Sequence, residues 1–176
     1  LLGRLEDQAR DEGLGDRVTT LRASMASLPL PSGSLDLIWS EGAVYNVGFE
    51  AGLRAWRPLL APGGCVVVSE MSWLTAPGPP AYADFWAQAY PGMGTVAANR
   101  DRLRAAGYAL RGSFAVSRAA WTAFAEPLVA RARALTAASD DPAAKEVWAA
   151  EMWAIEQLLA HTAHATYVFY VGEPAS

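Results

Sequence analysis

The stretch Leu35-Asp36-Leu37-Ile38-Trp39-Ser40-Glu41-Gly42-Ala43-Val44-Tyr45-Asn46 constrains the fold of this chain more than any other. Its opening run is too short for a helix and suits a strand buried on both faces, and it stops abruptly at a polar Ser-Glu-Gly corner. Strands of that kind belong to parallel sheets covered by helices. In an open α/β sheet, ligands bind in the crevice beyond the carboxyl ends of the strands, so Ser40, Glu41 and the loop to Asn46 stand where chemistry is expected. A core strand followed by an ordinary turn would have the same local pattern, and the flanking segments carry the decision.

Upstream, Leu1, Leu2, Leu5 and Ala9 recur at helical spacing, and Gly13 or Gly15 supplies a stop. Arg17 to Arg22 is β-branched and reads as a strand. Residues 23–34 are too rich in Pro and Ser for a regular element and read as a loop over the strand ends. Downstream, Phe49, Leu53 and Trp56 space out a helix ended by Pro58, and the turn Pro62-Gly63-Gly64 releases a strand from Cys65 to Glu70. Helix and strand alternate, which argues for helices on both faces of a largely parallel sheet with right-handed crossovers.

After Glu70 the pattern loosens into a proline-rich loop from Met71 to Pro80, then a short aromatic helix from Tyr82 to Tyr90 stopped by Pro91-Gly92. A helix from Val96 to Ala106 ends at Gly107, a left-handed cap position, and Tyr108 to Val116 reads as a strand. Two helices follow, from Ala119 to Ala137 with an interruption at Pro127, and from Pro142 to Thr162. Asp140-Asp141 before Pro142 satisfies free amides and presets the first turn. The stripe Trp148, Met152, Ile155 and Leu159 faces something apolar. Ala165 to Val171 alternates as a closing antiparallel strand.

At 176 residues and 52% hydrophobic content, one ordinary domain with a sizeable core is expected. A net charge of −4 without a Lys/Arg run gives no electrostatic reason for nucleic acid or an anionic membrane as partner, which leaves a small molecule. The single cysteine, Cys65, has no partner for an intramolecular disulfide, and no apolar run reaches the length of a membrane span, so a reducing cytoplasm is expected. His161 and His164 stand three apart, but no Cys or carboxylate cluster joins them, and no metal site is expected.

Three segments in this order carry a resemblance: Arg22 to Pro31, Ser34 to Ser40, and Leu59-Leu60-Ala61-Pro62-Gly63-Gly64 with its following strand. Together they resemble the middle and later motifs of the class I S-adenosylmethionine-dependent methyltransferases, in the small-molecule branch that includes quinone-biosynthesis enzymes. The resemblance covers Leu1 to Glu70 well and the remainder loosely. It implies a Rossmann-like doubly wound α/β fold: a mostly parallel sheet, an antiparallel C-terminal strand and a helical insertion before that strand. All of residues 1–176 would then form one methyltransferase domain. Residues 1–72, 108–116 and 165–171 would be its core, with 73–107 and 117–164 on the acceptor side.

The resemblance also implies S-adenosyl-L-methionine as cofactor and a small-molecule acceptor. Family members line the adenine pocket with the loop after the third strand, which maps to Ala23, Ser24 and Met25. Ser24 stands where an Asp is usual, and Met25 offers a polarisable face to a purine. Backbone groups after the fourth strand approach the methionine part, which maps to Ser40, Glu41 and Gly42. Glu41, Tyr45 and Glu70 are candidates for a base, needed only where the accepting atom must lose a proton, and no catalytic residue is assigned. Tyr45, Trp73, Trp86 and Tyr90 are expected to face the acceptor, with the helices between Ala119 and Ala163 walling the same pocket. The rival is a homodimer interface on the same stripe. The family's glycine-rich loop and acidic ribose ligand have no counterpart in these residues and are expected upstream of Leu1, in a βαβ unit of roughly 30 residues or more. A non-catalytic remnant of the fold, binding a ligand or protein, is the alternative function.

Overall fold

The computed structural model describes residues 1–75 and 78–175; Ala76, Ser176 and Pro77 of the proline-rich segment lie outside the described residues. A first helix, α1 (Leu2–Asp11), precedes strand β1 (Leu35–Ser40), helix α2 (Phe49–Trp56) and the long strand β2 (Leu60–Trp73). Helix α3 (Pro80–Ala89), the two-residue strand β3 (Gly94–Thr95), α4 (Val96–Ala105) and β4 (Tyr108–Ala115) follow. Helices α5 (Arg118–Ala138) and α6 (Pro142–Ala160) then lead to β5 (Ala165–Pro174). The sheet order is β1-β2-β5-β4, with β3 beside the end of β2. β1 and β3 run parallel to β2, whereas β5 is antiparallel to both β2 and β4. Two helices therefore stand between the last two strands of the sheet.

Several sequence expectations are corrected. Arg17 to Arg22 is not a strand: a short 3₁₀ turn covers Gly15–Arg17, and the residues after it are irregular. Strand propensity expresses packing against a paired neighbour, and Val18-Thr19-Thr20 has none among the described residues. β1 is not buried on both faces. It forms the edge of the sheet, with Leu37 50% and Trp39 58% exposed. β2 also begins earlier and ends later than expected, taking in Pro62-Gly63-Gly64 and Met71-Ser72-Trp73, because β1 pairs with it from Leu60 and β5 pairs with it from Val66 through Trp73.

The main core lies on one face of the sheet. Val66 and Val68 of β2 and Val168 and Tyr170 of β5 meet Phe49, Leu53 and Trp56 of α2 and Leu103 of α4. Their period of two along the strands and near four along α2 is the burial pattern each element requires. The opposite face is aromatic: Phe169 is stacked on Phe114 at 5.0 Å between centroids, and Trp39 is tilted against it at 5.6 Å. Near the strand ends, Trp121 of α5 stacks on Tyr167 at 5.6 Å and donates its indole N–H to Thr166 Oγ1 at 2.7 Å. These contacts seat α5 on β5. α5 also runs unbroken through Pro127, with Trp121, Ala125 and Ala132 buried along it. An interior proline costs a helix about 3 kcal/mol, which packing of that face offsets. Among the described residues, no helix is long and apolar enough to cross a membrane.

Candidate active site

The site is built where β1 and β2 end side by side, with Ser40 level with Val68. Leaving β1, the chain turns at Gly42, whose φ of +57° belongs to the left-handed region that favours glycine. The Gly42 N–H donates to Ser69 Oγ at 2.8 Å and ties the corner to β2. Ser40 is buried, and its hydroxyl oxygen has no partner among the described residues. Trp39 donates its indole N–H to the exposed Glu41 carboxylate at 3.2 Å. Beyond this corner opens a cavity of about 660 Å³.

Strand alternation explains the cavity floor. Ser69 pairs with Phe169 and Met71 with Tyr167, so all four side chains share the face that opens into it. α3 contributes Trp86, α5 contributes Trp121 and Phe124, and α6 contributes Glu151, Ile155 and Leu158. The Trp86 indole N–H is buried beside the Tyr82 hydroxyl, with no hydrogen bond of normal geometry among the described residues. Tyr167 is pushed up to about 12, chiefly by burial, with the neighbouring Tyr45 and Glu70 adding to it, so its phenol stays protonated at neutral pH.

Glu70 follows Val66 and Val68 on the other face of β2, away from the cavity floor. It is 2% exposed, and neither carboxyl oxygen has a hydrogen-bond partner of normal geometry among the described residues. Burial raises its pKa from 4.5 to about 7, while the facing Tyr90 hydroxyl and the Arg102 guanidinium pull it down. Beside it runs a polar chain: Asn99 Nδ2 donates to Ser72 Oγ at 3.0 Å, and Ser72 and Tyr170 hydroxyls meet at 2.8 Å. Arg102 donates to Asn99 Oδ1 and the Gly92 carbonyl, both at 3.0 Å, and acts on the carboxyl through its charge.

Residues 1–68 match the family model described as a methyltransferase domain. Over 61 residues the chain is 38% identical to dimethylglycine N-methyltransferase of Parasynechococcus marenigrum (strain WH8102), a match covering 34% of this chain and 22% of that enzyme. A methyltransferase from Geobacter sulfurreducens, solved with S-adenosyl-L-homocysteine, superposes at a TM-score of 0.78 with 18% identity, over 96% of this chain and 69% of its own. The chain has a methyltransferase fold. The [4+2]-cyclase SpnF shares it, at a TM-score of 0.71 and 24% identity over 97% of this chain and 61% of the cyclase. The chain thus spans about a fifth of the curated relative and less than two thirds of the cyclase.

In this methyltransferase fold, the residues singled out from sequence fall into three groups. Glu41, Gly42, Tyr45 and Trp86 come together on the cavity wall, and Ser40 lies at the strand end beneath it. Trp73 and Tyr90 stand one layer back: Trp73 meets Tyr82 edge-on at 6.0 Å, and Tyr90 meets Tyr45 edge-on at 6.4 Å. Ala23, Ser24 and Met25 do not line the cavity. Ser24 accepts from the Ala26 N–H at 3.3 Å in its own turn, while Met25 packs on the main core and its carbonyl accepts from Trp56 Nε1 at 2.7 Å. Ser69, Met71, Tyr167 and Phe169 were missed by sequence reasoning, although the period of two along β2 and β5 aligns them once the register is known. His161 packs on the Tyr82 ring at 4.6 Å, and His164 lies 3.3 Å from the Thr75 hydroxyl.

Proposed function

We propose that this chain carries the acceptor side of a cytoplasmic enzyme that transfers a methyl group from S-adenosyl-L-methionine to a small molecule. The observation that supports it most is the aromatic cavity of about 660 Å³, a size suited to a small organic molecule, opening at the carboxyl ends of β1 and β2. Dimethylglycine N-methyltransferase, the relative with the highest identity described above, acts on a small molecule by its name.

The residues present fit the cofactor. The Ser40 hydroxyl is buried without a partner, and the Gly42 corner, with Glu41 beside it, opens onto the cavity without a side chain to block approach. Ser40, Glu41 and Gly42 would hold its methionine part; Ala23, Ser24 and Met25, assigned to the adenine from the sequence, stand away from this cavity. When bound, S-adenosyl-L-methionine supplies a methyl group on a positively charged sulfur. The chain's own contribution is positioning and exclusion of water. Trp86, Trp121 and Tyr167 wall the acceptor in, and holding two reactants in line is worth an effective molarity of roughly 10⁵ M or more in favourable cases.

The fold alone does not choose the reaction, since a cyclase shares it. Transfer of a tritiated methyl group from S-adenosyl-L-methionine to a panel of small amines, phenols and acidic carbon compounds, using the full-length protein, tests the reading. The expected result is label in at least one acceptor, and Trp86→Ala is expected to lose about tenfold or more of that transfer while S-adenosylhomocysteine binding is kept. A changed oligomeric state in Trp86→Ala, with transfer intact, would assign the stripe to an interface between two copies. Absence of label with every acceptor class would favour the non-catalytic alternative.

A further inference from the structure

Ser40 is level with Val68 in the parallel β1–β2 ladder, so Ser69 stands beside the point where the chain leaves β1. Its side chain shares the cavity face with Phe169, its partner on β5, and the residue is 1% exposed. A hydroxyl carries one donor and two acceptor sites. The Gly42 N–H fills one acceptor site of Ser69 Oγ at 2.8 Å, and the Ser69 proton has no acceptor among the described residues. Beyond the ladder, this is the hydrogen bond that ties Glu41-Gly42-Ala43 to β2 among the described residues. The Ala43 carbonyl accepts from the Asn46 backbone N–H at 3.1 Å and from its side-chain amide at 3.0 Å, both within the same turn. On the other side, a carbon added at Gly42 would meet the Tyr167 hydroxyl oxygen at 3.8 Å, an ordinary contact. The corner therefore rests between Ser69, which bonds to it, and Tyr167, which borders it.

We propose that Ser69 is a positioning residue for the cofactor: its hydroxyl holds the Gly42 peptide in the orientation that receives the methionine part. This rests on reading the Ser40-Glu41-Gly42 corner as the seat of that part. A glycine at φ +57° has more backbone freedom than any other residue, so a corner built on it needs an outside anchor. With the anchor in place the corner is ordered before binding, and binding does not have to supply that order. Burial makes the anchor effective, because water is kept from competing with the Gly42 N–H for Ser69 Oγ. Ser69 also lines the cavity, so one oxygen both fixes the cofactor corner and borders the space assigned to the acceptor.

Calorimetric titration of the full-length protein with S-adenosylhomocysteine, beside Ser69→Ala and Ser69→Thr, tests this. Alanine removes the hydroxyl and adds no atom, and threonine restores the hydroxyl on a residue suited to a strand. The expected result is binding about tenfold weaker in Ser69→Ala, the contribution of one ordinary hydrogen bond, and within about threefold of the unaltered protein in Ser69→Thr. The control is 5′-methylthioadenosine, which has the adenosine and the thioether but no amino-acid part. Its affinity is expected to be unchanged in Ser69→Ala, because it does not reach the corner. An equal loss of both ligands would mean that the substitution disturbs the whole pocket, and it overturns the inference. So does a loss of S-adenosylhomocysteine binding in Ser69→Thr as large as in Ser69→Ala. Equal S-adenosylhomocysteine affinity in the unaltered protein and Ser69→Ala removes the role of Ser69 and keeps the methyltransferase reading, whereas no binding to the unaltered protein removes that reading as well.

Discussion

Glu70→Gln is expected to remove a fall in stability that the unaltered protein shows between pH 4.5 and about 7. Burial strips water from the carboxyl and raises its pKa, so across that window the folded protein holds a proton that the unfolded chain has released. Stability falls wherever the folded state binds more protons than the unfolded state, so it declines as pH rises through the window and the loss is complete above about 7. A pKa change of this size corresponds to about 3 kcal/mol, a large part of the stability of an ordinary domain. Glutamine keeps the shape and carries no titrating proton. Urea unfolding at pH 5 and pH 8 checks this: the unaltered protein should lose most of that amount between the two, and Glu70→Gln should lose little of it. Parallel behaviour of the two proteins would mean that the carboxyl finds a partner that lowers its pKa.

Gly64→Ala is expected to cost about 2 kcal/mol or more, because the new Cβ would meet backbone rather than movable side chains. It would stand 2.9 Å from the Leu35 carbonyl oxygen, 3.0 Å from that of Ala61 and 3.2 Å from that of Asp36. Gly64 lies in the irregular stretch of the parallel β1–β2 pairing, between the Leu35–Leu60 and Leu37–Cys65 pairs. Gly63→Ala is the contrast. At φ +78° with no atom within 4 Å of the added carbon, it should cost only about 1 kcal/mol of left-handed strain. Denaturant midpoints of the two variants separate close backbone approach from backbone conformation, and equal losses would contradict the assignment of Gly64.

The helices and strands that carry their own punctuation were legible in the sequence. Asp141 does cap α6 through the Ala143 N–H at 2.9 Å, and Gly107, with φ +91°, follows the end of α4. The Ser-Glu-Gly corner also stands at a strand end, with Gly42 left-handed. What failed depended on partners distant in sequence. Val18-Thr19-Thr20 has strand composition but no neighbour to pair with among the described residues, and Leu37 and Trp39 read as buried because an apolar run does not say whether its strand is central or at an edge. Met71-Ser72-Trp73 read as loop beside the prolines, yet pairing with Tyr167, Thr166 and Ala165 keeps it in the sheet. The same distant pairing hid half of the candidate site. Ser69 and Tyr167 reach one face only through the β2–β5 register, nearly a hundred residues apart in the chain, whereas Tyr45 and Trp86 stood out as large aromatics in loops and helices beside the strand ends.

Calorimetric titration of the full-length protein with S-adenosylhomocysteine tests the central claim most directly, with Gly42→Val and Gly33→Val beside it. Both glycines are left-handed, at φ +57° and +67°, but only Gly42 borders the cavity. The account predicts micromolar binding, about −8 kcal/mol, weakened about tenfold or more in Gly42→Val and unchanged in Gly33→Val. No binding to the unaltered protein, or equal affinity in all three, would contradict it.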